Sequence, residues 1–275
     1  MTRMTVAEVL AAAQTSRRDA ETLLAHVLGR ERAFVLAYPE LELEAGTSAQ
    51  FAALATRRAA GEPLQYVTGQ QEFYGLLLEV TRAVLIPRPE TEHLVEQVIL
   101  WATQFHDARL LRVVDVGTGS GAIAIALATH VAGVHVTAVD VSGEALEVAR
   151  RNAARHECES RITFVQSDLL HNVHGLVDAI VSNPPYVALL DASELQREVR
   201  EHEPHLALFA GDDGLDVYRR LIPQAQGALR EGGLLAMELG FGQREALTAL
   251  LAGWQGVRFV DDYAGIPRVV LAERG

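Results

Sequence analysis

The stretch LRVVDVGTGSGAIAIALA, residues 111–128, decides the fold. A short valine-rich run leads into three glycines, Gly117, Gly119 and Gly121, and then into an apolar segment of helical length. Glycine lets the chain turn sharply and lets a ligand approach backbone amides at the positive end of a helix. The pattern therefore predicts a buried strand, a tight turn and a helix, which is the repeating unit of an α/β fold.

Seven short apolar runs begin at this stretch and predict seven strands. In chain order they read LRVVDV, VHVTAV, ITFVQ, VDAIVS, LLAMEL, VRFV and RVVLA. The first five are separated by segments long enough for right-handed crossover connections, which predicts a mainly parallel sheet. Only DDYAGIP separates the last two, so they can pair only as an antiparallel hairpin. We therefore predict a seven-stranded mixed sheet whose last strand is antiparallel.

The chain before the sheet divides into two segments. Residues 1–65 carry Ala, Leu, Glu and Arg at helical spacing and predict a bundle of three or four helices. Residues 66–86 change to β-branched and aromatic side chains, which is typical of a β-hairpin linker. Thr91 is the predicted N-cap of the helix that follows. Residues 87–275 are then the domain that contains the sheet.

Composition and charge narrow the classes of function. Acidic residues outnumber basic ones by 36 to 24, and the net charge of −12 argues against a surface that neutralises nucleic-acid phosphates. A single cysteine excludes an intramolecular disulfide and fits a reducing compartment. Charged residues interrupt the N-terminal apolar stretch, and no run of 18 apolar residues occurs. We therefore expect a cytoplasmic protein that binds neither membranes nor nucleic acid directly.

The glycine turn and one carboxylate predict a nucleoside site. Asp140 ends the second predicted strand, where its carboxylate can accept hydrogen bonds from both ribose hydroxyls. The same glycines also fit the G-x-G-x-x-G/A dinucleotide fingerprint, or could serve helix packing alone. Asp168, just beyond the third strand, can reach an adenine amino group or else cap a following helix. The pattern leaves the identity of the nucleoside open.

The tetrapeptide Asn183-Pro184-Pro185-Tyr186 directly follows the fourth predicted strand. Ligands of an open α/β sheet bind at the carboxyl ends of strands, so the tetrapeptide faces the same crevice as the glycine turn. Its prolines remove two amide donors and leave carbonyl oxygens and the Asn183 side-chain oxygen as acceptors for an NH2 group. Two such acceptors can orient a weakly nucleophilic amide or exocyclic amine toward an activated methyl group. A rigid proline turn with a packed tyrosine is the alternative.

We expect no metal site. His202 and His205 resemble ligands, but a proline lies between them and their i, i+3 spacing lacks the i, i+4 helical face of a zinc protease.

Together the motifs resemble one family over essentially the whole chain, the PrmC or HemK family of glutamine-specific methyltransferases of bacterial peptide-chain release factors. The most particular segments are LIPRPETEHLVE (85–96) and EPHLALFAGDDGLDVYRRLI (203–222). The resemblance implies a Rossmann-like class I methyltransferase fold with S-adenosylmethionine as cofactor and S-adenosylhomocysteine as product. It implies that the methyl acceptor is the side-chain amide of the glutamine in a Gly-Gly-Gln motif, and that residues 1–65 help to dock the release factor.

The resemblance also implies roles for single residues. The glycine turn would hold the methionine end of the cofactor, Asp140 its ribose, and Asp168 would lie beside its adenine. Asn183 and the Pro184 carbonyl would hold the glutamine amide, with Tyr186 in the pocket wall. The implied cofactor site is Gly117, Thr118, Gly119, Ser120, Gly121, Asp140, Asp168 and Asn183. The implied substrate site is Asn183, Pro184, Pro185 and Tyr186, of which Asn183, Pro184 and Tyr186 are the catalytic candidates.

Three other functions stay open at this point. An amino-methyltransferase that acts on adenine or cytosine in nucleic acid would meet the same two N–H donors. An NAD-dependent oxidoreductase would share the glycine turn and Asp140, but it gives no reason for the NPPY tetrapeptide. A noncatalytic nucleoside-binding protein is the third.

Overall fold

The computed structural model describes residues 3–104 and 110–275. The chain divides into two compact units. The first comprises the chain up to Gln70 together with Gln196–His202, and the second comprises Gln71–Leu195 and Glu203–Gly275. A short segment from far along the sequence thus belongs to the N-terminal unit.

The first unit is a helical bundle. Its N-terminal helices are α1 (Val6–Ala12), α2 (Arg17–Leu28), α3 (Arg32–Ala37), α4 (Ala45–Ala59) and α5 (Leu64–Thr68). Thr5 and Glu8 form a capping box at the start of α1. The sequence predicts three or four helices, whereas the described part of this segment has five. Two of them, α3 and α5, have six and five residues and are too short for apolar periodicity to detect.

The second unit contains the sheet and the hairpin that precedes it. Its elements, with the distant helix α9 of the first unit included for chain order, are β1 (Gln70–Phe73), β2 (Leu76–Glu79), α6 (Glu90–Ala102), β3 (Leu111–Val116), α7 (Ala122–His130), β4 (Val134–Asp140), α8 (Gly143–Arg155), β5 (Ile162–Gln166), β6 (Val177–Ser182), α9 (Arg197–His202), α10 (Asp216–Ala228), β7 (Leu229–Glu238), α11 (Arg244–Leu250), β8 (Gln255–Asp261) and β9 (Pro267–Glu273). The strands β1 and β2 form a two-stranded sheet of their own.

The main sheet has the strand order β5-β4-β3-β6-β7-β9-β8. The pairs from β5 to β7 are parallel, whereas β9 runs antiparallel to both β7 and β8. The predicted seven-stranded mixed sheet with an antiparallel last strand is therefore confirmed. Apolar side chains of α6 and α7 pack on one face, and those of α10 and α11 pack on the other. Helices thus cover both faces of a mainly parallel sheet, which explains the continuous apolar sequences of its parallel strands.

Two boundaries differ from the sequence prediction. The strand β7 begins at Leu229, before the apolar run at Leu234, because Leu229 already pairs with Val177. The register then shifts between Val177 and Ala179. Thr91 is not the N-cap of α6, because the helix begins at Glu90 with Pro89 in the cap position. Its side chain is instead buried.

The alternative in which Asp168 caps a helix is also wrong. The residues that follow Asp168 form hydrogen-bonded turns and contain no helix. Leu169 has a φ of 50°, a left-handed backbone conformation that an α-helix does not accept. The side chain of Asp168 therefore caps no helix, and it pairs instead with Arg220.

Candidate functional site

A cavity of about 310 Å³ lies at the carboxyl ends of β3, β4 and β6. This volume falls within the range of small-molecule sites. The residues that line it are Arg82, Ala83, Leu85, Val116, Gly117, Gly119, Asp140, Val141, Ser142, Glu144, Ala145, Ser167, Asp168, Leu169, Asn183, Pro185, Pro204, Leu206, Ala207, Val217 and Arg220. The glycine turn, the carboxylate after β4 and the NPPY tetrapeptide thus meet in one crevice, as their positions in the sequence predict.

The glycine turn presents backbone to this cavity. Gly121, the N-cap of α7, has a φ of 83°, and a Cβ there would lie 3.0 Å from Ile125 Cδ1 and 3.1 Å from Ala149 Cβ. Only glycine accepts both this backbone conformation and this contact between helices. The buried side chain of Thr118 donates to Asp115 Oδ2 at 2.6 Å. The Thr118 side chain does not line the cavity, so the wall at this point is peptide backbone.

Asp140 is held in place by the loops on both sides of it. Gly119 N donates to Asp140 Oδ2, and Ser142 N donates to Asp140 Oδ1, each at 2.9 Å. Burial raises the pKa of this carboxyl, and these two backbone hydrogen bonds oppose the shift. Each carboxylate oxygen has more than one acceptor site, so both can accept a further hydrogen bond. The side chain can therefore bind two neighbouring hydroxyl groups in the cavity.

Asp115 is a buried carboxyl beneath the glycine turn. Its Oδ2 accepts hydrogen bonds from Thr118 Oγ1 and Ala124 N, whereas Oδ1 has no hydrogen-bond partner among the described residues. Burial raises the pKa of Asp115 to about 7. A positively charged ligand above the turn would favour the ionised form of this carboxyl.

The side chain of Asn183 is held through a chain of hydrogen bonds. Asn183 Nδ2 donates to Thr91 Oγ1 at 2.9 Å, and Thr91 Oγ1 donates to Glu238 Oε2 at 2.6 Å. Tyr186 donates its hydroxyl to Glu238 Oε1 at 3.3 Å. Glu238 is fully buried, and burial raises its pKa to about 7. Asn183 Oδ1 takes part in no hydrogen bond of the described structure, so it remains an acceptor at the cavity.

The backbone of the tetrapeptide is fixed as well. Gln243 donates Nε2 to Tyr186 O at 3.0 Å and accepts from Gly240 N at 2.9 Å. A Cβ at Gly214 would overlap with Tyr186 O, so glycine is required for this close approach. Burial raises the pKa of the Tyr186 hydroxyl, with the nearby Glu238 as a further cause. The phenol thus stays neutral and can act as a donor.

Two ion pairs lie beside the cavity. Arg220 Nη2 contacts Asp168 Oδ2 at 2.5 Å, and both side chains are more than half exposed. Glu203 is buried and accepts from Ile86 N at 3.1 Å and from Arg88 Nη2 at 2.5 Å. Glu203, which lies between His202 and His205 in the sequence, therefore anchors the backbone before α6.

The predicted site residues divide into two groups. Gly117, Gly119, Asp140, Asp168, Asn183 and Pro185 line the cavity, whereas Thr118, Ser120, Gly121, Pro184 and Tyr186 flank it. Their individual roles stay predictions. The sequence interpretation missed Glu238 and the hydroxyl of Thr91, although a lone carboxylate at the end of the apolar run LLAMEL could have indicated the first.

Two absences hold within residues 3–104 and 110–275. No group of three or more His, Cys, Asp or Glu side chains in this part of the chain is arranged to hold a metal ion. Nor does this part contain a helix with the length and apolar character that a membrane span requires.

Two family models match the chain. The model of the PrmC N-terminal domain matches residues 3–69, and that of the methyltransferase small domain matches residues 98–206. The first match falls on the helical unit, and the second covers the glycine turn, Asp140 and the NPPY tetrapeptide.

Known proteins resemble the chain over most of its length. The release factor glutamine methyltransferase of Koribacter versatilis is 45% identical, with 94% of this chain and 91% of the relative covered. That of Escherichia coli (strain K12) is 43% identical, with 95% of this chain and 94% of the relative covered. The crystal structure of ribosomal protein L11 methylase from Lactobacillus delbrueckii subsp. bulgaricus is 25% identical and covers 68% of this chain and 81% of its own, with a TM-score of 0.50.

Proposed function

The chain belongs to the family of release factor glutamine methyltransferases, and from this premise we propose that it methylates the side-chain amide of the glutamine in a Gly-Gly-Gln motif. As a member of this family it is an enzyme and a methyltransferase, which excludes the oxidoreductase and the noncatalytic nucleoside-binding protein. The observation that carries the finer proposal is the acceptor Asn183 Oδ1 at the cavity, with the amide nitrogen of the same side chain held by Thr91. We propose the Pro184 carbonyl as the second acceptor of a pair. A primary amide supplies the two N–H donors that such a pair requires.

S-adenosylmethionine is the methyl donor in this proposal, and the residues present fit it. When bound, it supplies a methyl group on a positively charged sulfur. The backbone of Gly117 and Gly119 would hold its methionine end, and Asp140 would accept from both ribose hydroxyls. Asp168 would lie beside the adenine, with Arg220 holding its carboxylate at 2.5 Å.

Replacement of Asp140 by alanine should weaken cofactor binding more than turnover. A carboxylate that accepts ribose hydroxyls contributes about 1.5–3 kcal/mol, which corresponds to a loss of about 10-fold to 150-fold in affinity. Calorimetry with S-adenosylhomocysteine measures this loss, and excess S-adenosylmethionine should partly restore activity. Glu245→Ala, which removes an exposed carboxylate on α11, is the matched control. Wild-type affinity in Asp140→Ala would contradict the nucleoside assignment.

Catalysis at the acceptor amide is a matter of orientation. The nitrogen is a weak nucleophile because its lone pair is delocalised into the carbonyl. Asn183 Oδ1 and Pro184 O would grip the two N–H bonds and turn that lone pair toward the methyl group. After methylation the nitrogen is positively charged and strongly acidic, so it gives up its extra proton to solvent without a basic side chain. Tyr186, fixed by Glu238 and Gln243, would pack beside the planar amide and exclude water.

Labelled S-adenosylmethionine tests the proposed function directly. The enzyme is incubated with an intact release factor, with DNA and with RNA, and mass spectrometry maps any labelled residue. We expect label on the glutamine of the Gly-Gly-Gln motif and none on either nucleic acid. Labelling of nucleic acid with none on the release factor would overturn the protein substrate. A cytoplasmic location, as the sequence predicts, would place the enzyme together with this substrate.

The first unit has a docking role in this proposal. The helical segment carries no chemical motif in its sequence, whereas the cavity described above is built entirely from the second unit. Contacts remote from the reacting atoms can accelerate a reaction by positioning a large substrate. Residues 1–65 would thus recognise the release factor, while residues 87–275 bind the cofactor and carry out the chemistry.

Removal of the helical segment separates these two roles. A chain that starts at Gln71 should still bind S-adenosylhomocysteine, but it should methylate an intact release factor about 30-fold to 1,000-fold more slowly, the effect of losing about 2–4 kcal/mol of contacts. A short Gly-Gly-Gln peptide is the control substrate, because it cannot reach a remote docking surface. Equal losses with peptide and with intact factor would argue against docking.

A further inference from the structure

We propose that Thr91 and Glu238 are positioning residues that determine which end of the Asn183 side-chain amide faces the substrate. The inference rests on the proposed function, because it concerns the same acceptor pair. An asparagine amide has an oxygen that accepts hydrogen bonds and a nitrogen that donates them, and the two ends have nearly the same shape. Half a turn about the last side-chain bond exchanges them. Only one of the two orientations offers an acceptor to an NH2 group.

The chain of hydrogen bonds behind Asn183 has a single direction when Glu238 is ionised. An ionised carboxylate can only accept, so Thr91 must give its one hydroxyl hydrogen to Glu238 Oε2, 2.6 Å away. Thr91 Oγ1 then has only acceptor capacity left toward Asn183. The neighbouring atom at 2.9 Å must therefore be Asn183 Nδ2, and Oδ1 must face the cavity.

The other Glu238 oxygen completes this arrangement. Tyr186 donates its hydroxyl to Glu238 Oε1 at 3.3 Å. Oε2 thus accepts from Thr91 at the start of α6, and Oε1 accepts from Tyr186 in the NPPY tetrapeptide. Both carboxylate oxygens are therefore occupied by hydroxyl donors. The carboxylate is fully buried, so leaving either hydroxyl without its acceptor would be costly.

A reversed amide would slow the proposed reaction. With Asn183 Nδ2 toward the cavity, an N–H group of the protein would face the N–H groups of the substrate. The Pro184 carbonyl would remain the single acceptor, and the amide nitrogen could rotate about that one hydrogen bond. Turnover would fall, while cofactor binding at the glycine turn and Asp140 would be unaffected.

Protonation of Glu238 allows the hydrogen bonds from Glu238 through Thr91 to Asn183 to run in either direction. Burial is the main cause of its raised pKa of about 7, Glu90 raises it further, and Arg268 lowers it. Tyr218 also faces this residue, since its hydroxyl donates to the Glu238 carbonyl at 2.7 Å. Arg88 acts on this cluster through the neighbouring Tyr186, whose pKa it lowers. A protonated Glu238 can donate to Thr91 Oγ1, so the threonine hydroxyl could then donate to a reversed amide.

The first test compares two substitutions of one side chain. Thr91→Val keeps the shape but removes the hydroxyl, and should lower kcat by about 10-fold to 100-fold, the usual effect of losing a residue that orients a reacting group. Thr91→Ser keeps the hydroxyl and should recover most of that loss. KM for S-adenosylmethionine and affinity for S-adenosylhomocysteine should not change, which also checks the fold. Thr248→Val is the matched control, an exposed helical threonine on α11.

The second test reverses the direction of the hydrogen bonds that join Glu238, Thr91 and residue 183. Asn183→Asp places a second carboxylate against Thr91, whose single hydrogen cannot serve both. Glu238→Gln adds an N–H that can donate to Thr91 Oγ1 and so lets the threonine hydroxyl donate to the new carboxylate. Each single substitution should lower kcat, and the double variant should be about 10-fold more active than Asn183→Asp alone, because it regains the contact that orients the acceptor side chain. A merely structural carboxylate at 238 would give no such rescue.

The pH profile supplies an independent readout. In the wild type, kcat should fall as the pH decreases through about 7, because Glu238 gains a proton. Glu238→Gln should lack this limb. Asp115 also has a pKa raised to about 7, but it is present in both proteins, so the comparison isolates Glu238.

Wild-type kcat in Thr91→Val, or a double variant no better than Asn183→Asp, would overturn the positioning role. The proposed function would survive either result, provided that the wild-type enzyme labels the release-factor glutamine. An unlabelled release factor with the wild-type enzyme would instead remove the proposed function, and with it the premise of this inference.

Discussion

Asn183→Ala is expected to lower turnover by about 100-fold to 1,000-fold, by analogy with the removal of one preorganised donor from an oxyanion hole. The substitution deletes the acceptor that would hold one substrate N–H bond. It also leaves Thr91 Oγ1 without its donor. Orientation matters most in the transition state, so saturation with either substrate should not restore kcat.

Single-turnover labelling of a release factor at saturating cofactor measures this loss. Affinity for S-adenosylhomocysteine should stay within a few-fold of the wild type, because the ribose and methionine contacts belong to other residues. Gln226→Ala is the matched control, since it removes an exposed side-chain amide on α10. Near-normal turnover in Asn183→Ala would refute the role assigned to the tetrapeptide.

The two halves of the site should therefore be separable by kinetics. Asp140 is held by Gly119 and Ser142 and acts on cofactor affinity. Asn183 is held by Thr91 and acts on turnover. The two residues depend on different supporting contacts, so their effects on free energy should add when both are replaced.

Features set by neighbouring residues were predictable from the sequence. The apolar runs predict the strands because a parallel strand buried on both faces needs continuous apolar residues. The glycines mark the turn because Gly121 adopts a positive φ at a close contact between helices. The position of NPPY directly after β6 was enough to place it at the crevice, because ligand sites follow the carboxyl ends of strands.

Features that depend on distant partners were not predictable. Thr91 and Glu238 are 147 residues apart, and a threonine before an apolar helix is typical of an N-cap. Arg58 and Glu198 are 140 residues apart, and their ion pair lies within the helical unit. Sequence patterns are local, whereas these contacts arise only after the chain has folded.

Replacement of the acceptor glutamine by glutamate in the release factor should abolish methylation, with a loss of about 10,000-fold or more. A glutamate carboxylate has the same length but offers no N–H donor. It would place negatively charged oxygens against Asn183 Oδ1 and Pro184 O, two groups that can only accept. Mass spectrometry of the Gly-Gly-Gln peptide measures the result.

Replacement of that glutamine by asparagine is the informative control, because it keeps the NH2 group on a shorter side chain. Misplacement of the reacting nitrogen by about 1 Å can cost on the order of 100-fold, so labelling should fall but remain measurable. Glutamine, asparagine and glutamate should therefore react in that order. If the glutamate variant were labelled as efficiently as the asparagine variant, the acceptors of the NPPY tetrapeptide would not be recognising the N–H bonds of the substrate. The order distinguishes recognition of hydrogen-bond donors from recognition of side-chain length, since length alone would place glutamate above asparagine.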